Sequence, residues 1–305
     1  MTAPAGIPGA RFLDPATLAR IDNLELLART VVDGFINGLH HSPYLGLSVD
    51  FAEHRAYMPG DDIRRIDWRL FARSDRFYVK EFEADTNANM SVILDISPSM
   101  TYRSAGAPVS KLDYARYLAA CLAWFSRQQR DRVGIVTFDA DVVSRVPPSA
   151  KHLNIVLHTI DRITPGVRGA LRDPLSKIAE SFRRPSILAL ISDLYEDPEE
   201  VVSAVNQLRA KGNDLIVFQI LDPAEVDFPF DQPVNFEDLE SGERVPVVPD
   251  QLREQYRELM ATHLRELNQR FTDNQIDYAL FNTSQPLDYA LFRFLSNRQR
   301  LSRVR

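Results

Sequence analysis

Five short runs of almost uninterrupted apolar residues, spaced by stretches of helical periodicity, constrain this chain more than any other feature. They read NMSVILDI, RVGIVTF, SILALIS, DLIVFQIL and IDYALFN. A strand that is apolar at successive positions offers no face to water, so it must be covered on both sides. Between the runs lie SKLDYARYLAACLAWFSRQQR, with Ser110 and Asp113 in capping-box spacing, HLNIVLHTIDRI, DPLSKIAESFRR and DPEEVVSAVNQLRAKG. In the last, Asp197 caps, Pro198 fills the first turn, two glutamates sit at the positive end, and Gly212 closes the helix. Strands alternating with helices in this way predict an α/β fold: a doubly wound, mostly parallel sheet with helices on both faces.

Other elements are expected around this frame. DADVVSRVP continues RVGIVTF as a second strand across a short turn at Asp139 to Asp141, and a hairpin is expected about Glu240 to Gly242. A long helix is predicted over 250–272, and PLDYALFRFLSNRQR as a closing helix. Upstream, residues 1–15 read as a loose arm, and the apolar spacing over 15–38 predicts one amphipathic helix. A segment dense in charge and aromatics follows, with RFYVKEF as a strand. The division expected is a smaller N-terminal α+β segment over 1–88 and the α/β domain over 89–305.

Composition excludes several function classes. With 36 basic and 42 acidic residues the net charge is −6, which gives no overall attraction to nucleic acid or anionic lipid. The single Cys121 lies in an apolar helical pattern, so neither an internal disulfide nor a cysteine-based zinc site is expected. The six histidines lack H-E-x-x-H spacing, and G-x-x-x-x-G-K-[ST] does not occur. No run approaches about 18 apolar residues and the first thirty lack signal-peptide character, so a cytoplasmic protein with no membrane span is expected.

In an open parallel sheet, ligands gather beyond the carboxyl ends of the strands, where strand order reverses. Asp95 ends the first apolar run and Asp193 ends SILALIS, so two carboxylates from distant sequence arrive at one sheet edge. Ser97 and Ser99 follow Asp95 at alternate positions. Carboxylates with hydroxyls form an all-oxygen set suited to a hard cation such as Mg2+. The plainer alternative is that Asp95 and Ser97 satisfy backbone donors in a strand-to-helix turn.

DISPSM resembles the D-x-S-x-S of the metal-ion-dependent adhesion site in von Willebrand factor A-like domains, and ISDL resembles their third metal loop. FAEHRAYMPGDDIRRIDWRLFARSDRFYVKEFEAD resembles the signature of the bacterial domain-of-unknown-function-58 (DUF58) family, which precedes that fold. The resemblance spans roughly residues 35–225 and implies a non-enzymatic, metal-dependent protein-binding module. A cation, Mg2+ or Mn2+, would leave one position open for a carboxylate of the partner. It assigns Asp95, Ser97, Ser99 and Asp193 as metal ligands. The second-loop threonine of the family falls at about Gly169, which has no hydroxyl, so weak metal binding is expected. Thr164 would substitute only if the loop TPGVRG folds back. The resemblance also implies a MoxR-type AAA+ ATPase as partner, with this chain as adaptor or co-chaperone.

Two further readings compete with this one. Some phosphatases place a nucleophilic aspartate at the end of a first strand, in a D-x-D-x-[TV] pattern whose second carboxylate handles the proton. Here that position is Ser97, whose hydroxyl cannot do so at neutral pH. A metal-dependent phosphohydrolase is thus the alternative, and a scaffold with a metal-free relic site a third. Finally, Asp61, Asp62 and Asp67 alternate with Arg64 and Arg65 around Trp68, a pattern for a salt-bridged brace or a docking surface. The acids throughout it argue against nucleic acid.

Overall fold

The computed structural model describes residues 14–40, 54–56, 77–80, 88–209, 212–240, 242–287 and 290–291. The segment holding Asp61, Asp62, Arg64, Arg65, Asp67 and Trp68, and most of the closing helix, lie outside the described residues. The strands are β1 (His54–Ala56), β2 (Tyr78–Lys80), β3 (Asn89–Asp95), β4 (Arg132–Phe138), β5 (Val142–Ser149), β6 (Ile187–Ser192), β7 (Asp214–Leu221), β8 (Val234–Glu237), β9 (Arg244–Val247) and β10 (Asp277–Asn282). The helices are α1 (Pro15–Leu18), α2 (Leu24–His40), α3 (Lys111–Gln128), α4 (Leu153–Asp161), α5 (Arg172–Ser181), α6 (Pro198–Arg209), α7 (Pro223–Asp227) and α8 (Pro249–Asp273).

The five apolar runs form the parallel part of one sheet in the order β10-β7-β6-β3-β4, and β5 adds antiparallel at the β4 edge. Successive side chains of a strand point to opposite faces, and the two buried clusters divide accordingly. Met90, Val92 and Leu94 of β3, with Ile187, Ala189 and Ile191 of β6, face α2, α3 and α4. Ile93, Leu188 and Leu190 face α5, α6 and the C-terminal half of α8. The predicted mostly parallel, doubly wound sheet is what forms. Each of the larger side chains among these contributes about 1.5–3 kcal/mol on burial, which is why the continuous apolar runs tolerate no polar face.

Two places depart from the sequence reading. The single helix expected over 15–38 is two, because Asp14 caps α1 through the Ala16 N–H and Asn23 opens α2 by accepting from the Leu26 N–H at 2.9 Å. A cap in mid-pattern ends one helix and starts the next without disturbing the apolar spacing. The buried face of α2, from Leu24 to Phe35, lies in the same cluster as α3. The short α7 was not foreseen at all, although Asp222, Pro223 and Glu225 make a complete capping box.

At the outer edge, β5 carries Pro147 and Pro148 and its pairing with β4 shifts register twice. Gly134 faces this irregularity: a Cβ there would lie 2.6 Å from the Val146 carbonyl oxygen and 2.8 Å from the Pro148 nitrogen. Only glycine lets β5 approach so closely. Among the described residues no helix is long and apolar enough to cross a membrane.

Candidate functional site

From β3 the chain steps to β4 and β5 on one side, then returns to place β6 on the other. After β3 it enters α3 on one face of the sheet, and after β6 it enters α6 on the opposite face. Strand order therefore reverses between β3 and β6, and a crevice opens where their carboxyl ends part. Asp95 and Asp193 stand there, 3% and 4% exposed.

Asp95 is held from two sides. Its Oδ1 accepts from the Ser97 N–H at 2.9 Å, and its Oδ2 accepts from the Ser192 hydroxyl at 2.5 Å. Burial, together with the charge of Asp193, pushes its pKa up to about 7, against the lowering pull of those bonds. After Ser97 the chain turns through a 3-10 segment, Pro98–Thr101, and the Ser97 and Ser99 hydroxyls meet at 3.1 Å. Beyond Asp193, Leu194 takes a left-handed backbone (φ 54°), with its N–H on the Ser192 hydroxyl. A buried leucine in that region is uncommon, and the turn it makes directs Asp193 into the crevice.

Sequence reasoning did not find Lys111. This lysine is 0% exposed, and its Nζ donates to Asp193 Oδ2 at 2.8 Å and to Glu225 Oε1 at 2.7 Å. Nζ also lies 5.0 Å from the centroid of the Tyr195 ring. Burial alone would lower the lysine pKa, but Asp193 and Glu225 override it and hold the pKa above the usual range. Glu225 serves two partners, since its Oε2 accepts from the Asp222 N–H at 2.7 Å within the α7 capping box. The unforeseen helix thus delivers the second counterion.

Glu240 was read only as part of a turn. From the β8–β9 hairpin its Oε1 accepts from the Ser99 N–H at 2.9 Å, while Oε2 is buried with no hydrogen-bond partner among the described residues. Together these groups border a cleft of about 1180 Å³, lined by ten carboxylate side chains and a single guanidinium, Arg168. Its far wall is apolar, with the Phe228 ring in contact with both Phe236 and Tyr256. A cleft so unbalanced in charge attracts cations.

Asp95, Ser97, Ser99 and Asp193 thus line one cleft, and Thr164 does not. The loop after α4 does fold back, with the Gly166 N–H on the Ile96 carbonyl at 2.7 Å and Arg168 and Gly169 on the cleft, but Thr164 stays exposed. Gly169 lines the cleft, yet a Cβ there would sit 2.1 Å from Ala140 Cα. A Gly169→Thr variant is therefore expected to lose about 1–3 kcal/mol of stability in urea titration and to gain no metal affinity by calorimetry, because the side chain collides with backbone.

The donor set was compared with what a divalent cation needs. Among the described residues no three His, Cys, Asp or Glu side chains are grouped to hold a metal, so a cation here would need the serine hydroxyls as well as carboxylates. Hydroxyls, carboxylates and the orphaned Glu240 oxygen are all hard ligands, and negative charge is in excess, so the residues fit Mg2+ or Mn2+. One oxygen of Asp193 is engaged by Lys111 and both oxygens of Asp95 accept hydrogen bonds, so a cation would share these carboxylates with their present donors.

The family model described as "Protein of unknown function DUF58" matches residues 53–266. The uncharacterized protein Rv1480 of Mycobacterium tuberculosis is 26% identical over 293 residues, covering 94% of this chain and 91% of its own. Among solved structures, the conserved hypothetical protein BatB from Bacteroides thetaiotaomicron is 18% identical with a TM-score of 0.45, covering 70% of this chain and 99% of its own. The SpRpn10 VWA domain is 11% identical with a TM-score of 0.38, covering 67% of this chain and 94% of its own.

Proposed function

The chain belongs to the DUF58 family, and from that premise we propose that it is a non-enzymatic protein-interaction module, an adaptor or co-chaperone for a MoxR-type AAA+ ATPase in the cytoplasm, which captures a partner carboxylate through a divalent cation. The observation that supports this reading is the meeting, at the reversal of strand order, of Asp95, Ser97 and Ser99 from one strand end with Asp193 from another. Asp95, Ser97 and Ser99 would hold Mg2+ or Mn2+, with Asp193 close by on its lysine. The bound ion would supply an open position for a carboxylate. The chain's own residues keep the hydroxyls converged, hold Asp95 by two hydrogen bonds, and prevent Asp193 from turning away.

Calorimetric titration of Mn2+ into chelator-treated protein tests the reading. Measurable binding is expected in the wild type and none in Asp95→Ala. Equal binding by both would place the metal elsewhere and remove the basis for the proposal. Turnover of a generic phosphomonoester that is lost in Asp95→Ala would instead favour the phosphohydrolase.

A further inference from the structure

The Glu240 contact deepens that reading, on which it rests. A glutamate from the chain's own hairpin points at the serine loop, with one oxygen on the Ser99 N–H and the other buried and without a hydrogen-bond partner among the described residues. An unsatisfied buried carboxylate oxygen costs free energy, and it persists only where the surroundings hold it or where a missing partner completes it. We propose that Glu240 is a built-in carboxylate ligand, which closes the serine loop until an acidic side chain of a partner protein displaces it.

The hairpin is built for such a movement. β8 and β9 pair with each other in a separate two-stranded sheet. One pair short of the turn, β8 is anchored by Phe236, which stacks on Phe228 at 5.7 Å and meets Phe230 edge-on at 4.9 Å. The tip is stiffened internally. The Glu240 N–H donates to Asp238 Oδ1 at 2.9 Å, the Gly242 N–H to the Asp238 carbonyl at 2.7 Å, and the Asp238 N–H to the Glu243 carbonyl at 2.9 Å. Gly242 permits this turn with φ 73°. From that tip, Glu240 reaches the body of the domain at the Ser99 N–H. Loss of this charge-assisted bond releases the tip from the serine loop while its internal hydrogen bonds keep the turn formed.

The occupant follows from the same chemistry. A group that replaces Glu240 must accept from the Ser99 N–H and fit among hydroxyls, which selects a carboxylate. The exposed Leu239 beside it and the apolar far wall favour an acidic residue flanked by an apolar one over a free small anion. The tip sequence itself, DLESG, has this character.

Hydrogen exchange on the full chain, in chelator and again in Mg2+, tests the clasp. Glu240→Gln and Glu240→Ala are each expected to speed exchange at the hairpin tip and at Ser99 by about tenfold or more, the scale of a charge-assisted bond. The interiors of β3 and β6 should exchange as before, which shows that the variants are folded. A blocked DLESG peptide should then bind Glu240→Ala at least tenfold more tightly than it binds wild type and restore protection at Ser99, while DLQSG should do neither. Wild-type exchange rates in both variants would overturn the proposal. So would faster exchange that the peptide does not reverse in either buffer, since Glu240 would then be a structural tie only. Failure of the cation reading appears separately, as absent Mn2+ binding, and leaves the exchange comparison in chelator intact.

Discussion

Replacing Lys111 by methionine is expected to destabilise the protein by about 3–5 kcal/mol, the cost of removing one member from a buried charge group. The stem would still fill its space, but Asp193 and Glu225 would face each other without the ammonium that now lies 2.8 and 2.7 Å from them. The urea midpoint should fall with the denaturant slope unchanged. Adding Glu225→Gln to Lys111→Met should return part of the loss, because one uncompensated charge then disappears. A loss under about 1 kcal/mol, typical of exposed pairs, would mean that water reaches the group and that the cleft floor is not dry.

The second large effect concerns pH. The Asp95 carboxyl, at about 7 in the folded state against an ordinary 3.8, has its pKa raised by burial and by Asp193. The metal-free native state therefore binds more protons than the unfolded chain between those values, and stability falls as pH rises through that window. Asp95→Asn removes the group. The variant should show a flatter pH profile and exceed wild type above pH 7 by an amount on the order of 4 kcal/mol at most. A divalent cation favours the ionised carboxylate, so Mg2+ should raise the wild-type melting temperature more at pH 8 than at pH 5, and should not do so in Asp95→Asn. Parallel wild-type and variant profiles from pH 4 to 8 would show that Asp95 titrates normally.

The sheet was legible because its strands are buried on both faces. An apolar run such as SILALIS has few other fates, and an aspartate at its end marks where the sheet stops. The ends of β3 and β6 could thus be paired from sequence through the rule on reversed strand order. Lys111 was not legible. A lysine in the first turn of a helix reads as a solvated charge, and the acids that keep it buried come from positions 82 and 114 residues later in the chain. The capping box at Asp222 was a usable signal for α7, but nothing local shows that Glu225 turns its other oxygen to a buried lysine. Likewise DLESG spells an ordinary turn, and only the packing of Phe236 aims Glu240 at Ser99. The break at Asn23 was hidden because the apolar spacing on either side keeps one period.

The edge made by β5 has a consequence for how a partner is met. Pro147 and Pro148 remove two amide donors from that strand, and its register shifts at Gly134 and between Thr137 and Phe138 make the pairing with β4 irregular. An incoming strand needs an even row of donors and acceptors, so among the described residues β-augmentation is disfavoured along the C-terminal half of this border. The same two imino acids blunt edge-to-edge growth there. Recognition on this side of the molecule has to rely on side chains and pockets, a mode in which specificity rests on a few residues and can be altered one residue at a time.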